Sequence, residues 1–398
     1  MTENKKSGWI AGITRGHNAG VCLLKDGEIV FSIEEERITR QKYDGGPYAS
    51  MLKILEYTDR LDYLVIAHTS PKETAGNIDF SGEDMYTGFA RKIGLIDRKA
   101  PRLNHPQVID LAHIHHKLHA ACAFYRSGFK EAVSVIVDGA GTFINLETNS
   151  DHVTGWETES IFKCEYPATF TTLYKHIGIR EARAGGIFKK FPSDKYGEPG
   201  THEVRIADHA GIVKAYEAVT EYCGFNAIEA GKTMGLFPYG KKTDKIPPLF
   251  DTTGIYPSTN RNLIVPRYPN GAVINDMFYE YLSDRNADDL TTLDNRRDLA
   301  FAVQTQTQEQ VLNLIIKATE MAGTKNVVLS GGFGLNCVAN YFYLDKLNEL
   351  GINFYVEPVS NDAGTAMGAA MMIHRSTTAD CEIVDYKSNL YLGPVHTY

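Results

Sequence analysis

Apolar and polar positions alternate along this chain in a pattern that predicts two similar groups of β-strands. Residues 8–36 contain an apolar run, a polar turn, a second run, an Asp-Gly hairpin signal and a third run. Residues 132–165 repeat this order, beginning with the β-branched run AVSVIV and a glycine-rich turn. A pattern that occurs twice predicts an internal duplication. We therefore expect two similar lobes whose polar turns face each other across a cleft.

The last hundred residues alternate between helical and strand patterns. Helical periodicity covers residues 297–321. A strand, a Gly-Gly turn and a helix follow at 326–347, and a strand, a turn and a small-residue helix follow at 352–375. This alternation predicts an α/β fold with mixed or parallel sheets, in which ligands bind at the strand ends. Residues 229–240 contain two glycines around a lysine and end in Pro-Tyr-Gly, which predicts a shaped loop.

The 398 residues are too many for one ordinary core, so we expect two lobes. We place the first lobe, which includes a histidine-rich helix, at residues 1–131 and the second at 132–398. Within the second lobe, residues 175–210 are expected to be an insertion. Residues 241–294, rich in Pro, Asn and Asp, are expected to be irregular.

Histidines cluster in the stretch HIHHKLH that begins at residue 113. His115 and His119 are four residues apart, so they share one face of a helix and can reach one metal ion. Asp138 and Asp362 each lie near a strand end with glycine close behind, and two imidazoles with two carboxylates suit Fe(II), Mn(II) or Zn. The alternative is a pair of ordinary core or surface histidines. His113 and His116 lie on other helix faces, where they are structural or orient the ligands.

Glycine turns follow two of the predicted strands. Asp138 precedes the glycines at 139 and 141, and such a turn suits a cation or a phosphate. Gly331 and Gly332 lie between a strand and a helix, where they provide either tight packing or the floor of a nucleoside site. His17, in the first polar turn, either stabilises that turn or serves as an acid, base or electrophile near neutral pH.

Composition and charge narrow the protein class. With 43% hydrophobic and 23% charged residues the chain is typical of soluble globular proteins. It contains no apolar run long enough to span a membrane and no signal peptide, so we expect a cytoplasmic location. Six scattered cysteines without a C-x-x-C pair indicate reduced thiols. The net charge of −8 argues against a protein coated in nucleic acid.

One local basic segment leaves a nucleic-acid partner open. Residues 175–195 include Lys189 and Lys190 among six lysines and arginines. Such a segment is either an exposed loop with ordinary lysines or a surface that receives an anionic acceptor or a partner protein.

Ordered motifs along nearly the whole chain resemble those of the O-carbamoyltransferases typified by nodulation protein U and the cephamycin and tobramycin enzymes. They are H-N-A-G at 17–20, E-E-E-R-I-T-R-Q-K at 34–42, H-H-x-x-H-A at 115–120, V-D-G-A-G at 137–141, G-K-T-M-G-L-F-P-Y-G at 231–240, S-G-G-F-G-L-N-C-V-A-N at 330–340, N-D-A-G-T-A-M-G-A-A at 361–370 and Y-L-G-P at 391–394. The resemblance implies the two-lobed, duplicated α/β fold of the sugar kinase, heat-shock ATPase and actin superfamily.

The resemblance also implies a reaction. A carbamoyl group from carbamoyl phosphate is activated with ATP as carbamoyl adenylate and then passed to an acceptor hydroxyl. It implies an Fe(II)-type metal on His115, His119, Asp138 and Asp362, with His17 facing the carbamoyl carbon. Nucleotide-binding positions would be Gly139, Gly141, Lys232, Gly331, Gly332 and Asn336, and Arg40 and Lys42 would lie on the acceptor side. The acceptor is expected to be a small hydroxylated metabolite or a hydroxymethylated nucleotide or DNA base.

The chain departs from the family pattern in three places. Asn18 replaces the usual acid beside His17, and Thr142 stands where the family commonly has Glu. Family members continue past Y-L-G-P into a YrdC-like domain that makes the adenylate, whereas this sequence stops at Tyr398. Three alternatives follow: the activating domain is a separate YrdC-like protein that acts as a partner, the sequence is a piece of a longer protein, or this domain performs both steps. Two alternatives to the O-carbamoyltransferase function remain: a tRNA threonylcarbamoyl-type transferase and a non-catalytic, actin-like nucleotide-binding protein.

Overall fold

The structure is a computed structural model, and it describes most of the chain. The described residues are 8–74, 82–147, 152–179, 187–192, 201–207, 211–251, 259–260, 263–266, 272–274, 290–383 and 390–394. Within them, no helix combines the length and apolar character needed to cross a membrane.

The described residues form fifteen strands and nine α-helices. The strands are β1 (Trp9–Thr14), β2 (Gly20–Lys25), β3 (Glu28–Glu34), β4 (Tyr63–Ile66), β5 (Val108–Asp110), β6 (Glu131–Val137), β7 (Phe143–Glu147), β8 (His152–Glu165), β9 (Thr169–Ile179), β10 (Ile187–Pro192), β11 (Thr201–Ala207), β12 (Ile264–Pro266), β13 (Ala272–Ile274), β14 (Asn326–Ser330) and β15 (Asn353–Val356). The helices are α1 (Glu35–Thr39), α2 (Tyr48–Ile54), α3 (Met85–Ile93), α4 (His115–Ser127), α5 (Ile212–Tyr222), α6 (Ala230–Leu236), α7 (Leu290–Ala322), α8 (Cys337–Glu349) and α9 (Asp362–Thr378).

Two large sheets dominate the fold. The smaller has the order β3-β2-β1-β4-β5, with antiparallel pairing among β1–β3 and parallel pairing of β1 with β4 and of β4 with β5. The larger has the order β10-β11-β9-β8-β6-β14-β15, with β7 paired to β8. In it, β6, β8 and β9 are antiparallel, and β14 is parallel to both β6 and β15.

These pairings confirm the predicted duplication, because β9-β8-β6-β14-β15 repeats the order and directions of the smaller sheet. The predicted extent of the second unit, residues 132–165, was wrong, because its third strand lies beyond residue 165. The segment at 143–147 is an additional strand on β8, and the third strand of the repeat is β9. Strands β10 and β11, which lie in the segment predicted to be an insertion, extend the edge of the larger sheet beyond β9.

A layer of two helices lies between the sheets, and each helix packs on the sheet of the other half. Helix α4 follows β5 along the chain but packs against β6, β8 and β14, and α9 follows β15 but packs against β1, β2 and β4. Both helices also pack against each other, and one buried apolar cluster contains residues from both helices and both sheets. The core between the sheets therefore depends on both halves of the chain.

Small residues allow α9 to approach its neighbours closely. A Cβ on Gly368 would lie 2.0 Å from the carbonyl oxygen of Leu118 in α4, and one on Gly12 in β1 would lie 1.9 Å from that of Ala366. Such contacts are possible only for glycine, because side chains never approach backbone atoms this closely. The repeated Ala and Gly of α9 therefore set the spacing of the central layer.

We expect Gly368→Ala to lower the free energy of unfolding by about 2 kcal/mol, since the added methyl group forces α4 and α9 apart in a well-packed core. Denaturant unfolding followed by circular dichroism measures this change. Gly235→Ala is the matched control, because Gly235 also lies in a helix and a Cβ there meets nothing within 4 Å. Equal stabilities of the two variants would contradict the close contact.

Two predicted boundaries were wrong. Residues 229–240 form helix α6 and a following 3-10 turn instead of a loop. A capping box begins the 3-10 turn Ala227–Glu229 that leads into α6: the side chain of Asn226 accepts a backbone hydrogen bond, and Glu229 reaches back to the backbone of Asn226. Helix α7 begins at Leu290, seven residues before the predicted start at residue 297, so the segment 241–294 includes its first turn.

Candidate metal and nucleotide site

The candidate site lies where the carboxyl ends of parallel strands from both sheets meet the N-terminal ends of the central helices. Asp138 directly follows β6, and Gly331 directly follows β14, which pairs with β6 in parallel. His115 is the first residue of α4 and Asp362 the first residue of α9. The packing of α4 against α9 therefore brings together residues that are far apart in sequence.

Four side chains meet in the arrangement of a metal site. Ligand atoms of His115, His119, Asp138 and Asp362 all lie within 4.8 Å of one another. The imidazole Nε2 of His115 is 3.8 Å from Asp138 Oδ2 and 3.6 Å from Asp362 Oδ1, and His119 Nε2 is 3.7 Å from the same Asp362 oxygen. These separations are too long for hydrogen bonds.

The donor set fits a divalent first-row metal. Both Nε2 atoms are buried and make no hydrogen bond within the described residues. Buried polar atoms are normally paired, so unpaired nitrogens that converge with two carboxylates are the expected condition of metal ligands. The structure thus brings together the four residues that the sequence predicted.

Electrostatics favour charged carboxylates at this cluster. Although burial alone would raise the pKa of Asp362, the facing imidazoles of His115 and His119 hold it well below its usual range. Burial likewise opposes the charge of Asp138, and the nearby histidines lower its pKa. Two ionised carboxylates and two imidazoles form a ligand set that attracts a cation.

The Gly331-Gly332 turn holds one of these carboxylates. The backbone N–H of Gly332 donates a hydrogen bond of 3.0 Å to Asp138 Oδ1, which leaves Oδ2 to face the histidines. Gly331 has φ of 89°, and a Cβ there would lie 2.4 Å from the carbonyl oxygen of Val137. Backbone geometry therefore requires a glycine at position 331, next to Asp138.

The third buried histidine lies behind Asp138. His116 Nδ1 is 2.8 Å from Ser160 Oγ, and its Nε2 is 3.9 Å from Asp138 Oδ2. A Cβ on Gly141 would lie 2.5 Å from His116 Nε2, so this glycine gives the imidazole its space. His113 is exposed on the preceding 3-10 turn, outside the cluster.

A buried ion pair that the sequence analysis missed lies under this histidine. Glu157 on β8 and Lys175 on β9 are 2.5 Å apart, and the charge of Glu157 acts on His116. Glu157 Oε2 also accepts the backbone N–H of Thr142 at 3.0 Å, and the Thr142 hydroxyl donates to Ala112. Thr142 thus ties the turn after β6 to the segment that enters α4.

A cleft of about 660 Å³ opens in front of the cluster. Of the predicted site residues, its lining includes His17, Asp138, Gly139, Gly332, Asn336 and Asp362. His115 and His119 are fully buried behind the two aspartates. Asn18 and Tyr43 from the smaller lobe face Val213, Met234 and Leu335 from the larger one across this cleft.

The remaining predicted residues lie outside the lining. Gly331 and Gly141 lie behind it, as described above. Lys232 is 53% exposed in its side chain and pairs with Glu229 at 2.6 Å, while its neighbour Gly231 lines the cleft. Lys42 lies over the ring of Tyr43, and Arg40 ends α1 with a left-handed backbone.

Polar residues on α5 line the cleft and hydrogen-bond to a residue on α7, and none of them was singled out from the sequence. Lys214 is buried, and its Nζ lies 2.9 Å from Glu217 Oε2. A Cβ on Gly139 would lie 2.9 Å from Glu217 Oε1. Tyr216 donates to Gln304, whose amide exchanges hydrogen bonds with the amide of Asn336. In the sequence, the i, i+3 spacing of Lys214 and Glu217 is that of an ordinary surface ion pair. Only the burial of the pair in the structure shows that it is not one.

Comparison with known proteins identifies the family of this chain. The family model for the carbamoyltransferase N-terminus matches residues 72–371, which include all four residues of the candidate metal site. This chain belongs to that family. The resemblance drawn from the sequence motifs is thereby confirmed.

Relatives of this carbamoyltransferase-family chain are longer than it is. An uncharacterized protein of Synechocystis sp. is 26% identical over 419 residues, covering 96% of this chain and 60% of that protein. Nodulation protein NolNO of Sinorhizobium fredii is 24% identical over 379 residues, covering 90% of this chain and 46% of that protein. The chain thus spans about half the length of these relatives.

A solved structure supports the fold assignment. Full-length HypF, in a phosphate- and nucleotide-bound form, matches with a TM-score of 0.52 and 12% identity over 94% of this chain and 56% of that chain. Together with the two duplicated sheets, this likeness confirms the predicted two-lobed α/β fold.

Proposed function

We propose that this chain is an ATP-dependent O-carbamoyltransferase that moves a carbamoyl group from carbamoyl phosphate, through carbamoyl adenylate, to an acceptor hydroxyl. The observation that carries the proposal is the cluster of His115, His119, Asp138 and Asp362 at the floor of the cleft. Family membership supports the class of reaction. The donor, the acceptor and the use of ATP belong to the proposal.

The arrangement suits a carbamoyl donor that carries a nucleotide. The backbone N–H of Gly139, beside the buried Lys214, offers a contact to a phosphate. Leu335 and Ile228 are 49% and 44% exposed and line the cleft, which gives a base apolar surfaces. A divalent metal bound to the four ligands would supply Lewis-acid polarisation of donor oxygens.

His17 is the candidate for proton transfer. It is exposed in the cleft, after the end of β1, so its ring can approach a bound acceptor. In the proposed step the acceptor oxygen bonds to the carbamoyl carbon, and the bond from that carbon to the AMP phosphate oxygen breaks. The hydroxyl proton moves to a ring nitrogen of His17, and AMP leaves with the electron pair.

Carbamoyl transfer to a set of acceptors tests the proposal. The chain is incubated with ATP, carbamoyl phosphate and hydroxylated metabolites or hydroxymethylated nucleosides, with and without a YrdC-like protein. We expect a product heavier by one carbamoyl group. Absence of carbamate in every mixture would reject the function, and transfer of threonylcarbamoyl to tRNA adenosine would favour the alternative transferase.

We propose that Glu217, which lines the cleft, accepts a hydrogen bond from the nucleotide. Glu217→Gln is then expected to weaken ATP binding about tenfold, because this charge-assisted hydrogen bond becomes a neutral one. The substitution keeps the shape of the side chain beside Gly139. Calorimetric titration with a non-hydrolysable ATP analogue measures the affinity. Glu221→Gln is the matched control, since Glu221 lies one turn further along α5 and outside the cleft lining. Equal affinities in the two variants would place the nucleotide elsewhere.

A further inference from the structure

A second group of polar side chains lies on the same strand edge as His17 but outside the nucleotide cleft. Strands β1 and β4 are parallel, with Ile13 paired to Ile66, and the backbone N–H of Ala67 donates to Ile13 at 2.9 Å. Arg15 and His68 follow these strand ends. Gly16 is the residue between Arg15 and His17, and a Cβ added to it would lie 3.7 Å from His68 Cε1.

Three polar atoms of this group are buried and have no hydrogen-bond partner among the described residues. They are Arg15 Nε, His68 Nδ1 and the hydroxyl oxygen of Tyr86. Tyr86, on α3, is fully buried, and the charge of Arg15 acts on both Tyr86 and His68. Arg15 therefore lies near both other side chains. Unpaired buried groups of this kind are the expected condition of a binding site that awaits a ligand.

Protonation makes Arg15 the only cation of the three. Burial first, and the Arg15 guanidinium second, lower the pKa of His68 to about 3, so its imidazole is neutral at physiological pH. Burial raises the pKa of the Tyr86 phenol, which keeps its hydroxyl as a hydrogen-bond donor. The group thus offers one positive charge together with neutral hydrogen-bonding atoms.

Carboxylates nearby are already engaged by other groups. Asp84 Oδ1 accepts the backbone N–H groups of Tyr86 and Thr87, and its Oδ2 faces Lys72 at 3.8 Å. The two oxygens of Asp110 accept the backbone N–H groups of Lys72 and Ala112. Neither carboxylate is ion-paired with Arg15 among the described residues, so its guanidinium, which lies beside the Tyr86 side chain, is available to an anion from outside.

We propose that Arg15, His68 and Tyr86 form an oxyanion-binding subsite, and that the acceptor carries a phosphate or carboxylate that binds there. The proposal rests on the proposed function, because it places the acceptor beside His17. A guanidinium fork matches the geometry of phosphate and carboxylate oxygens. The subsite therefore favours an anionic acceptor, such as a hydroxymethylated nucleotide, over a cationic amine-bearing one.

Direct binding tests the subsite without any need for catalysis. The purified chain, saturated with a non-hydrolysable ATP analogue, is titrated calorimetrically with inorganic phosphate. We expect the wild type to bind phosphate and Arg15→Gln to bind it at least about tenfold more weakly. Arg15→Lys should recover part of the loss, and Arg60→Gln, at an exposed site of the same lobe, should bind as the wild type does. Equal binding by Arg15→Gln, or none by the wild type, overturns the subsite.

Paired acceptors then identify the source of the anion. Hydroxymethyl-deoxycytidine is compared with its 5′-monophosphate, and a hydroxy acid with its amide, as kcat/KM for carbamate formation. We expect the anionic member of one pair to be preferred and Arg15→Gln to abolish that preference. A preference that survives in Arg15→Gln contradicts the subsite. If no acceptor is carbamoylated, the proposed function fails, while the phosphate titration still decides the subsite.

Discussion

Replacing His115 and His119 together by alanine is expected to strip the bound metal and to reduce carbamoyl transfer by about a thousandfold or more. A metal ion contributes several kcal/mol of charge stabilisation, and each 1.36 kcal/mol corresponds to a tenfold change in rate. Both imidazoles are fully buried, with nitrogens that lack partners within the described residues. Their loss leaves only the two carboxylates, which form too small a ligand set to retain a first-row ion.

Metal content of the purified proteins, measured by elemental analysis, is the primary readout. His113→Ala is the matched control, because His113 belongs to the same histidine stretch but is exposed outside the cluster. Circular dichroism and binding of the ATP analogue establish that the double variant is folded. Full retention of metal by a folded double variant would reject the assigned ligands. A non-catalytic nucleotide-binding protein would instead show no metal in the wild type.

His17→Ala is expected to slow carbamoyl transfer about a hundredfold or more while metal content and nucleotide binding stay unchanged. General acid–base catalysis by a positioned side chain typically contributes 10²–10⁴-fold. His17 is exposed, so its removal leaves no cavity in a core. The expected loss is in kcat, because the proton moves only as the acceptor attacks.

Added imidazole distinguishes a base from a contact residue. A small base that enters the vacated space should restore part of the rate of His17→Ala in proportion to its concentration. His113→Ala again serves as the comparison, since it removes an exposed imidazole away from the cleft. A loss of less than tenfold, or no response to imidazole, would show that another group takes the proton.

The four residues of the candidate metal site could be predicted because each is marked by a short local sequence pattern. His115 and His119 share a helix face by spacing alone, and aspartates at strand ends are placed by strand direction. The sequence also indicated the duplication, because each half repeats a strand order that the pairing then reproduces. No local pattern indicated that α4 and α9 would each pack on the sheet formed by the other half of the chain. This packing depends on contacts between helices that are more than 230 residues apart.

Residues with tertiary roles were missed for the same reason. Lys214 and Glu217 look like a surface pair until burial against Gly139 is known. Gly141 has the sequence context of a phosphate turn, yet the structure places it against the ring of His116. His68 stands alone in the sequence, and only the parallel pairing of β1 and β4 brings it near Gly16.

The packing of each central helix on the sheet of the other half has a consequence for how the protein is made. The inner face of the smaller sheet is covered by α9, which is synthesised more than two hundred residues after β1–β4. While the chain emerges from the ribosome, Ile10, Cys22 and Leu24 therefore remain without their native cover. Chaperones that bind exposed apolar strands would meet the nascent chain during this interval. A ribosome-bound chain stopped before residue 362 should accordingly remain protease-sensitive throughout its first hundred residues.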